Sequence, residues 1–359
     1  MRKNCLKYPV EFTTDIFDKG NGILVDTLRK VTGSDRPRVM LVADLNVVQH
    51  IQGLGTRIGA YITARDIDLV AKPTVIAGGE KIKCDNLRAA LTIVSAALEA
   101  KIGADDVMLI LGGGSLFDVA GWAAAQVRGG VKTVRIPTTP AAMIDAAFAD
   151  NAALDSVNIK DALKVPCTPA AVLIDHGFAA GVLDGVWRGG FAAALRQSAV
   201  TDAGFFASLA DTASVFRNRD LDALGEMVKK AYSSRTEHDV KPFGEWSALR
   251  LEAMSSYKLP HGYALSLGML IDAQYARLQK LLSDEEFTAI EKALAESGAK
   301  EGSSHIRHLL DQDDVLLAGL SAWRLSHPEG VVFPKGIGRS VTVEIPDLAT
   351  MKSALNMIN

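Results

Sequence analysis

A run of three glycines, Gly112–Gly114, lies directly after an apolar segment, DDVMLIL at 105–111, and directly before a segment of helical character. Glycine has no Cβ, so the backbone N–H groups at the start of such a helix are accessible to a ligand. A helix N-terminus carries about half a positive charge and suits a pyrophosphate. Asp118 follows one turn into the helix. The pattern predicts a nucleotide cofactor here; the plainer alternative is a tight strand-to-helix turn without a ligand.

Polar or glycine residues also follow three other apolar runs. Ligands of open parallel sheets bind beyond the carboxyl ends of the strands, so residues in these places could converge on one site. An aspartate that follows a strand is, alternatively, often only a helix cap. The residues are Asp44 after RVMLVA, Gly78 and Gly79 after PTVIA, and Thr138 and Thr139 after TVRIP.

The elements that must position these residues alternate between strand-like and helix-like patterns over the first half of the chain. Such alternation predicts an α/β N-terminal domain with a Rossmann-like, mostly parallel sheet. From about Leu183 the patterns become helical, and strand signals return only briefly near 331–336 and 339–345. We therefore predict an α/β domain over 1–178 and an all-α C-terminal domain over 179–359.

Composition narrows the class of protein. A chain of 359 residues is long enough for two cores, and 48% hydrophobic with 23% charged residues is ordinary for a soluble enzyme. A net charge of −3 gives no electrostatic reason to expect nucleic acid or a membrane surface as a partner. No window approaches the ~18 consecutive apolar residues of a membrane span. The segment MRKNCLKYPVEF lacks the apolar core of a signal peptide.

The three cysteines, Cys5, Cys84 and Cys167, are widely separated and odd in number. They are typical of reduced thiols rather than of a disulfide framework or a metal-binding pair. The sequence thus predicts a cytoplasmic enzyme with a small-molecule substrate.

Read in order, several segments resemble motifs of the dehydroquinate synthase-like sugar phosphate cyclases. ADLNV resembles TDxNV, GGEKIK resembles GGExxK, and GGGSLFDVAGWAAAQVRGG resembles GGGxxxDxxGFxAxxxxRG. RIPTTPAAMIDAAF resembles VPTTLLAxVDSSV, while FGEWSALRLE and HGYALSLG resemble FGHWSAHKLE and HGEAVAIG. Each motif is weak alone, but their order and spacing along the chain are specific.

This resemblance implies a bound NAD that oxidises a carbinol of a small polyol or sugar phosphate, followed by phosphate loss, re-reduction and aldol ring closure. It implies that Asp145 faces the substrate, and, since related folds commonly dimerise, that the protein is a homodimer. The implied cofactor contacts are Asp44 and Asn46 on ribose hydroxyls with Glu80 and Lys83 beside them, Gly113, Gly114 and Ser115 on the pyrophosphate with Thr138 and Thr139 nearby, and Asp118 near the nicotinamide ribose.

The resemblance also implies a zinc ion held by one Glu and two His, and here the sequence departs from the family. Ala193 and Glu245 stand at the first two ligand positions, and only His261 is retained. A tight zinc shell usually takes three protein ligands plus water. One interpretation is that the metal is lost, with Glu245 and Arg196 compensating each other's charge. The other is that Glu245 and His261 still bind a metal, with a third ligand such as Asp145 or water.

The positions implied to hold a phosphorylated substrate have changed as well. Asn151 and Asp155 stand where the family has a lysine and an asparagine, Lys160 is retained, and Arg196 replaces another lysine. Losing a cation and gaining a carboxylate weakens charge-assisted contacts to phosphate.

Three functional hypotheses remain open from the sequence. The first is an active NAD-dependent enzyme, with Asp145, Lys160, Arg196 and Glu245 as the predicted catalytic residues. The second is a catalytically silent homologue that keeps the fold and the NAD site as a scaffold or partner subunit. The third is a metal-independent enzyme in which Arg196 or Lys160 polarises the substrate.

Overall fold

The computed structural model describes residues 6–156, 159–301 and 307–358. The chain divides into two compact units, with the break between Val182 and Leu183. No helix in the described part of the chain is long and apolar enough to cross a lipid bilayer.

The N-terminal unit is built on a seven-stranded sheet in which every strand pair is parallel. Its strands are β1 (Val10–Thr13), β2 (Arg38–Asp44), β3 (Asp68–Leu69), β4 (Thr74–Ile76), β5 (Val107–Gly112), β6 (Lys132–Pro137) and β9 (Ala171–Asp175). The strand order is β1-β9-β6-β5-β2-β3, and β4 also pairs with β2. The connecting helices are α1 (Ile23–Thr32), α2 (Leu45–His50), α3 (Leu54–Ala64), α4 (Arg88–Glu99), α5 (Gly114–Gln126) and α6 (Pro140–Ile144), with short 3-10 helices at Glu80–Cys84, Ala146–Phe148 and His176–Gly181.

The central strands β2 and β5 are buried along almost their whole length, as their continuous apolar sequences predict for a parallel sheet covered on both faces. Their register brings the carboxyl ends of neighbouring strands together. Gly112 of β5 pairs with Pro137 of β6, and Asp44 of β2 pairs with Ile76 of β4. The residues that follow these strands therefore lie along one edge of the sheet.

An antiparallel hairpin, β7 (Asn151–Ser156) and β8 (Ile159–Pro166), packs on α5. Small residues permit this close contact: a Cβ on Gly121 of α5 would lie 3.0 Å from the Cys167 sulfur and 3.1 Å from the Ala152 Cβ. The Ala153 N–H donates to the Asp118 carboxylate at 3.0 Å. The hairpin thus brings its charged residues towards the start of α5.

The C-terminal unit is mainly helical, as predicted, with α11 buried at its centre against α7, α10, α12 and α15. Its helices are α7 (Asp184–Thr201), α8 (Ala203–Arg217), α9 (Leu221–Glu237), α10 (Glu245–Met254), α11 (His261–Leu278), α12 (Asp284–Glu296), α13 (Arg307–Leu310), α14 (Asp313–Ser326) and α15 (Leu348–Ile358). The brief strand signals form a two-stranded antiparallel ladder, β10 (Val331–Pro334) with β11 (Ser340–Val343), so this unit is not built of helices alone.

Glycine contacts set how α7 and α10 lie against α11. A Cβ on Gly262 of α11 would collide with the backbone of Gly189 in α7. A Cβ on Gly268 would collide with the carbonyl oxygen of Gly244, which precedes α10 and has a φ of 77° that favours glycine. These contacts hold the backbones of α7 and α10 close to α11, and all three helices carry predicted metal-site positions.

Asp272 of α11 fixes the start of α10. Its fully buried carboxylate accepts the Gly244 N–H at 2.9 Å and the Trp246 indole N–H at 2.7 Å. Desolvation by burial raises the pKa of Asp272 to about 7, although both hydrogen bonds favour the ionised form.

Asp272 is expected to make the stability of the protein fall as the pH rises. A carboxyl whose pKa is about 7 when folded and 3.8 when unfolded binds its proton more tightly in the folded state. Its contribution is therefore fully present below the unfolded value and is lost between the two values. Between pH 5 and pH 8, we expect the free energy of unfolding of the wild type to fall by about 2 kcal/mol more than that of Asp272→Asn. Urea unfolding at each pH measures both. Exposed Asp284→Asn is the matched control, and parallel pH profiles for wild type and Asp272→Asn would contradict this assignment.

Candidate functional site

The glycine turn forms the start of α5, as the sequence predicts. Gly113 is the N-cap residue, and the first N–H groups of the helix, on Gly114 and Ser115, have no acceptor within it. A Cβ on Gly113 would lie 3.1 Å from the Thr139 Cγ2, and one on Gly114 would lie 3.0 Å from the Ala146 Cβ. Thr139 and Ala146 therefore pack closely against the glycine backbone, and the N–H groups at this helix start fit a pyrophosphate.

Asp44 and Asn46 lie beside this turn. Asp44 caps α2, because its carboxylate accepts the Asn46 N–H at 2.9 Å, and it also accepts the Gly78 N–H. A Cβ on Gly78 would collide with that carboxylate, and a Cβ on Gly112 would lie 3.4 Å from the Asp44 Cβ. Burial raises the pKa of Asp44 despite these bonds. The capping role is thus present, and the ribose contact implied by the resemblance stays a prediction.

Thr138 and Thr139 follow β6 on the other side of the turn. The Thr138 N–H donates to the Gly112 carbonyl at 3.0 Å, and its buried hydroxyl has no hydrogen-bond partner among the described residues. Thr139 caps α6 through a 3.3 Å bond from the Ala142 N–H. Asp145 ends α6 and lies next to Ala146, the residue that faces Gly114. The structure therefore brings these predicted positions together around the start of α5.

A group of charged and polar side chains, which we call the hairpin cluster, joins the 3-10 helix Glu80–Cys84, α5 and the β7–β8 hairpin. One half is centred on buried Lys83, whose Nζ lies 2.8 Å from the Asp118 Oδ2 and 2.7 Å from the Asp161 Oδ1. The other half is centred on Lys160, whose Nζ lies 3.0 Å from the Glu80 Oε2. The cluster consists of Glu80, Lys83, Ser115, Asp118, Asp155, Lys160 and Asp161.

Asp155 connects the two halves of the hairpin cluster. Its buried carboxylate lies 3.3 Å from the Lys160 Nζ and 4.0 Å from the Lys83 Nζ, and it accepts the Asp161 N–H at 2.9 Å. The Ser115 hydroxyl donates to the Glu80 carboxylate at 2.8 Å, which joins the cluster to the start of α5. Lys160, predicted as a catalytic residue, thus lies with the predicted cofactor residues.

The electrostatics of the hairpin cluster keep Lys83 charged. Although burial acts to lower it, the surrounding carboxylates, led by Asp118, raise the pKa of Lys83 well above its usual value. Burial raises the pKa of Asp118, whereas Lys83 outweighs burial and lowers the pKa of Asp161. The lysine therefore acts as a fixed buried cation that holds the hairpin against α5.

Two polar pairs lie on the helices of the C-terminal unit. Buried Arg196 of α7 forms an ion pair with Glu245 at the start of α10. His261, the first residue of α11, has its Nδ1 2.5 Å from the Oε1 of fully buried Glu252. Sequence reasoning did not single out Glu252. The available signal was its place seven residues after Glu245, which puts both carboxylates on one face of α10.

These residues do not fit a zinc shell. Ala193 has no donor atom and lies one helical turn before Arg196, whose guanidinium engages the Glu245 carboxylate. The positive charge of the Arg196 guanidinium would repel a metal ion that approached the Glu245 carboxylate. Within the described ranges, no group of three or more His, Cys, Asp or Glu side chains is placed to hold a metal ion.

We expect protein purified without added metal to contain no stoichiometric zinc. The double substitution Ala193→Glu and Glu245→His provides a three-ligand set with His261, and zinc affinity is expected to rise at least ~100-fold over the wild type. Elemental analysis and competition with a chromophoric chelator measure both quantities. Glu245→His alone, which leaves two ligands, is the matched control. One tightly bound zinc per wild-type chain would overturn the assignment.

Two family descriptions match the chain in sequence. The N-terminal domain of 3-dehydroquinate synthase matches residues 73–185, and its C-terminal domain matches residues 190–312. This chain belongs to the 3-dehydroquinate synthase family. The family prediction made from the ordered motifs is confirmed.

Curated relatives agree with this membership. The 3-dehydroquinate synthase of Rhodopseudomonas palustris is 29% identical over 248 residues, which cover 65% of this chain and 64% of the relative, a little under two thirds of its length. That of Acidithiobacillus ferrooxidans is 25% identical over 281 residues, covering 74% and 75%.

The solved structures support the fold. 2-epi-5-epi-valiolone synthase from Streptomyces hygroscopicus subsp. jinggangensis, with NAD+ and Zn2+ bound, gives a TM-score of 0.86 at 24% identity, covering 99% of this chain and 97% of the other. A 2-deoxy-scyllo-inosose synthase complexed with carbaglucose-6-phosphate, NAD+ and Co2+ gives 0.79 at 15% identity, covering 97% and 96%. The predicted combination of a parallel α/β unit and a helical unit is therefore confirmed.

Proposed function

We propose that this dehydroquinate synthase-like protein binds NAD and begins its reaction by transferring a hydride from a carbinol carbon of a small polyol or sugar phosphate. The observation that carries the proposal is the glycine-led start of α5 at the carboxyl end of β5, with Asp44 and Thr139 on either side. Family membership supports the same cofactor, since two structural neighbours hold NAD+.

The chain's own residues would hold the cofactor through its phosphates and ribose hydroxyls. The N–H groups of Gly114 and Ser115 would donate to the pyrophosphate. Asp44, which lies beside Gly112, and Asn46, whose N–H donates to the Asp44 carboxylate, would receive ribose hydroxyls. When bound, the nicotinamide would supply the hydride acceptor.

The hairpin cluster would act as the rigid wall of this site. Lys83 fixes Asp118 on α5 and Asp161 on the hairpin, so the carboxylates keep their positions without a ligand. Such preorganisation lowers the cost of orienting a substrate for hydride transfer. Asp145, Lys160, Arg196 and Glu245 stay proposed catalytic positions, with Lys160 and Arg196 both engaged by carboxylates.

We further propose that the protein is cytoplasmic, acts as a homodimer, and takes a small molecule as its substrate. Free Cys84 and Cys167 agree with a reducing compartment. Family membership supports the small substrate.

Isotope transfer tests the proposed reaction. NAD-loaded protein would be mixed with polyols and sugar phosphates that carry deuterium on their carbinol carbons, and the nicotinamide would be analysed by mass spectrometry. We expect deuterium at C4 of the reduced nicotinamide with at least one substrate class, when the mixture is quenched before re-reduction returns the deuteride to the substrate. A bound cofactor that gains no deuterium from either class would contradict the proposed hydride transfer.

A further inference from the structure

The side chains that the hairpin cluster presents to solvent are carboxylates, while its cations are buried behind them. The exposed fraction of the side chain is 42% for Asp161, 26% for Asp118 and 23% for Glu80. It is only 7% for Lys83 and 8% for Lys160. A ligand that approaches the cluster therefore meets acceptor oxygens before it meets ammonium groups.

The cluster also carries more negative than positive formal charge. Four carboxylates surround two lysines, which leaves an excess of two negative charges. Lys83 contacts Asp118 and Asp161 within hydrogen-bond distance, and Lys160 does so with Glu80. Phosphate groups are bound tightly by cations that donate charge-assisted hydrogen bonds, and here those donors are directed to the cluster's own carboxylates.

Residues of the hairpin contribute to this excess of negative charge. Asn151 at the start of β7 is neutral, and Asp155 places a buried carboxylate between the two lysines. Within the C-terminal unit, the guanidinium of Arg196 is likewise engaged, by Glu245. Every position that the sequence marks as a changed phosphate contact is thus neutral, acidic, or a cation paired with a carboxylate.

From these contacts we infer that the substrate of this enzyme is an unphosphorylated, hydroxyl-rich compound, an inference that rests on the proposed function. Its hydroxyl groups donate to the exposed carboxylate of Asp161, while Glu80 and Asp118 stay with the cofactor positions implied by the resemblance. When bound, NAD+ would supply the acceptor for the hydride of the carbinol carbon, and the hydroxyl proton would leave to solvent, so that the substrate would become a ketone. No phosphate ester bond breaks, because the substrate carries none.

The ribose hydroxyls of the cofactor share this acceptor chemistry with a polyol. The cofactor's own pyrophosphate is compatible with the inference, because it is assigned to the N–H groups at the start of α5 rather than to the lysines. Measurements on protein already loaded with NAD+ separate the two sources of hydroxyl groups, since any further response then belongs to the substrate.

Phosphate binding to the NAD-loaded protein is the test, with inorganic phosphate and glycerol phosphate as probes in calorimetry. We expect no saturable binding of either probe by the wild type up to about 10 mM, so its dissociation constant for each probe would lie above the millimolar range. Two variants remove carboxylates that pair with the lysines: Asp161→Asn, and the double substitution Asp155→Asn with Asp161→Asn. We expect the double variant to bind glycerol phosphate at least ~10-fold more tightly than the wild type. Asp161→Asn alone changes a partly exposed residue and keeps the test usable if the double variant does not fold.

Asp150→Asn is the matched control, because it removes the same charge from an exposed residue directly before the hairpin. A gain in the control equal to that in the cluster variants would overturn the inference, as would submillimolar binding of glycerol phosphate by the wild type. Deuterium transfer from phosphorylated substrates alone would overturn it too, while leaving the proposed function intact. Failure of the protein to bind NAD+ in the loading step would instead remove the proposed function.

Discussion

Replacing Gly113 with valine is expected to lower the affinity for NAD+ at least ~100-fold, a loss of about 2.7 kcal/mol. A Cβ at this position would lie 3.1 Å from the Thr139 Cγ2 and 3.4 Å from its Oγ1. The branched side chain of valine would therefore press on Thr139 and cover the backbone at the start of α5, where the pyrophosphate is proposed to bind. The φ of Gly113 is −90°, so the backbone accepts the substitution without a left-handed conformation.

Gly103→Val is the matched control, since a Cβ on Gly103 meets no atom within 4 Å. Calorimetry with NAD+ measures the affinity of both variants, and thermal unfolding without ligand shows whether each keeps its fold. We expect the control to bind NAD+ like the wild type. Equal affinity of folded Gly113→Val and wild type would place the cofactor away from this turn.

Replacing Lys83 with methionine is expected to reduce the free energy of unfolding by about 3 kcal/mol, because removing one partner of a buried ion pair leaves uncompensated charge. Methionine keeps much of the length of the lysine side chain, so the change is chiefly in charge. It leaves Asp118, Asp155 and Asp161 near one another without the cation that they share. The hairpin is then expected to separate from α5, which would also weaken NAD+ binding.

Lys81→Met separates this effect from a general loss of charge. Lys81 lies two residues earlier in the same 3-10 helix and is exposed, so its substitution is expected to change stability by no more than about 0.5 kcal/mol. Urea unfolding compares the two variants. Similar values for Lys81→Met and Lys83→Met would show that the hairpin cluster does not stabilise the N-terminal unit.

Much of the N-terminal unit follows from local sequence. β2 ends at Asp44 and α5 begins directly after Gly113, because continuous apolar runs predict buried parallel strands and glycines mark their ends. The grouping of Asp44, Gly113 and Thr139 was predictable for the same reason, since parallel strands end at one edge. These signals depend only on neighbouring residues and on a general property of such sheets.

The hairpin cluster was less predictable, because its contacts join residues that are far apart in the chain. Lys83 and Asp161 are separated by 78 positions, and no local periodicity indicates that they pair. The link between Glu252 and His261 depends on how α10 packs against α11, which glycine contacts determine. By contrast, the ion pair of Arg196 with Glu245 followed from two changes relative to the family at one site.

In this chain, the positions implied to bind the cofactor and those implied to bind the metal have therefore diverged from the family to different extents. The start of α5 keeps the open backbone that a dinucleotide needs, and its neighbours keep their polar residues. At two of the three implied metal-ligand positions stand Ala193 and Glu245, and Glu245 forms an ion pair with Arg196. Cofactor binding is thus the feature on which the proposed reaction depends.

Titration of NAD+ into wild-type protein by calorimetry tests that feature most directly. We predict saturable binding of one NAD+ per chain with a dissociation constant below about 100 μM, without added metal, and its loss in Gly113→Val. Absence of any binding heat or fluorescence change up to about 1 mM NAD+ would contradict a dinucleotide site at the start of α5.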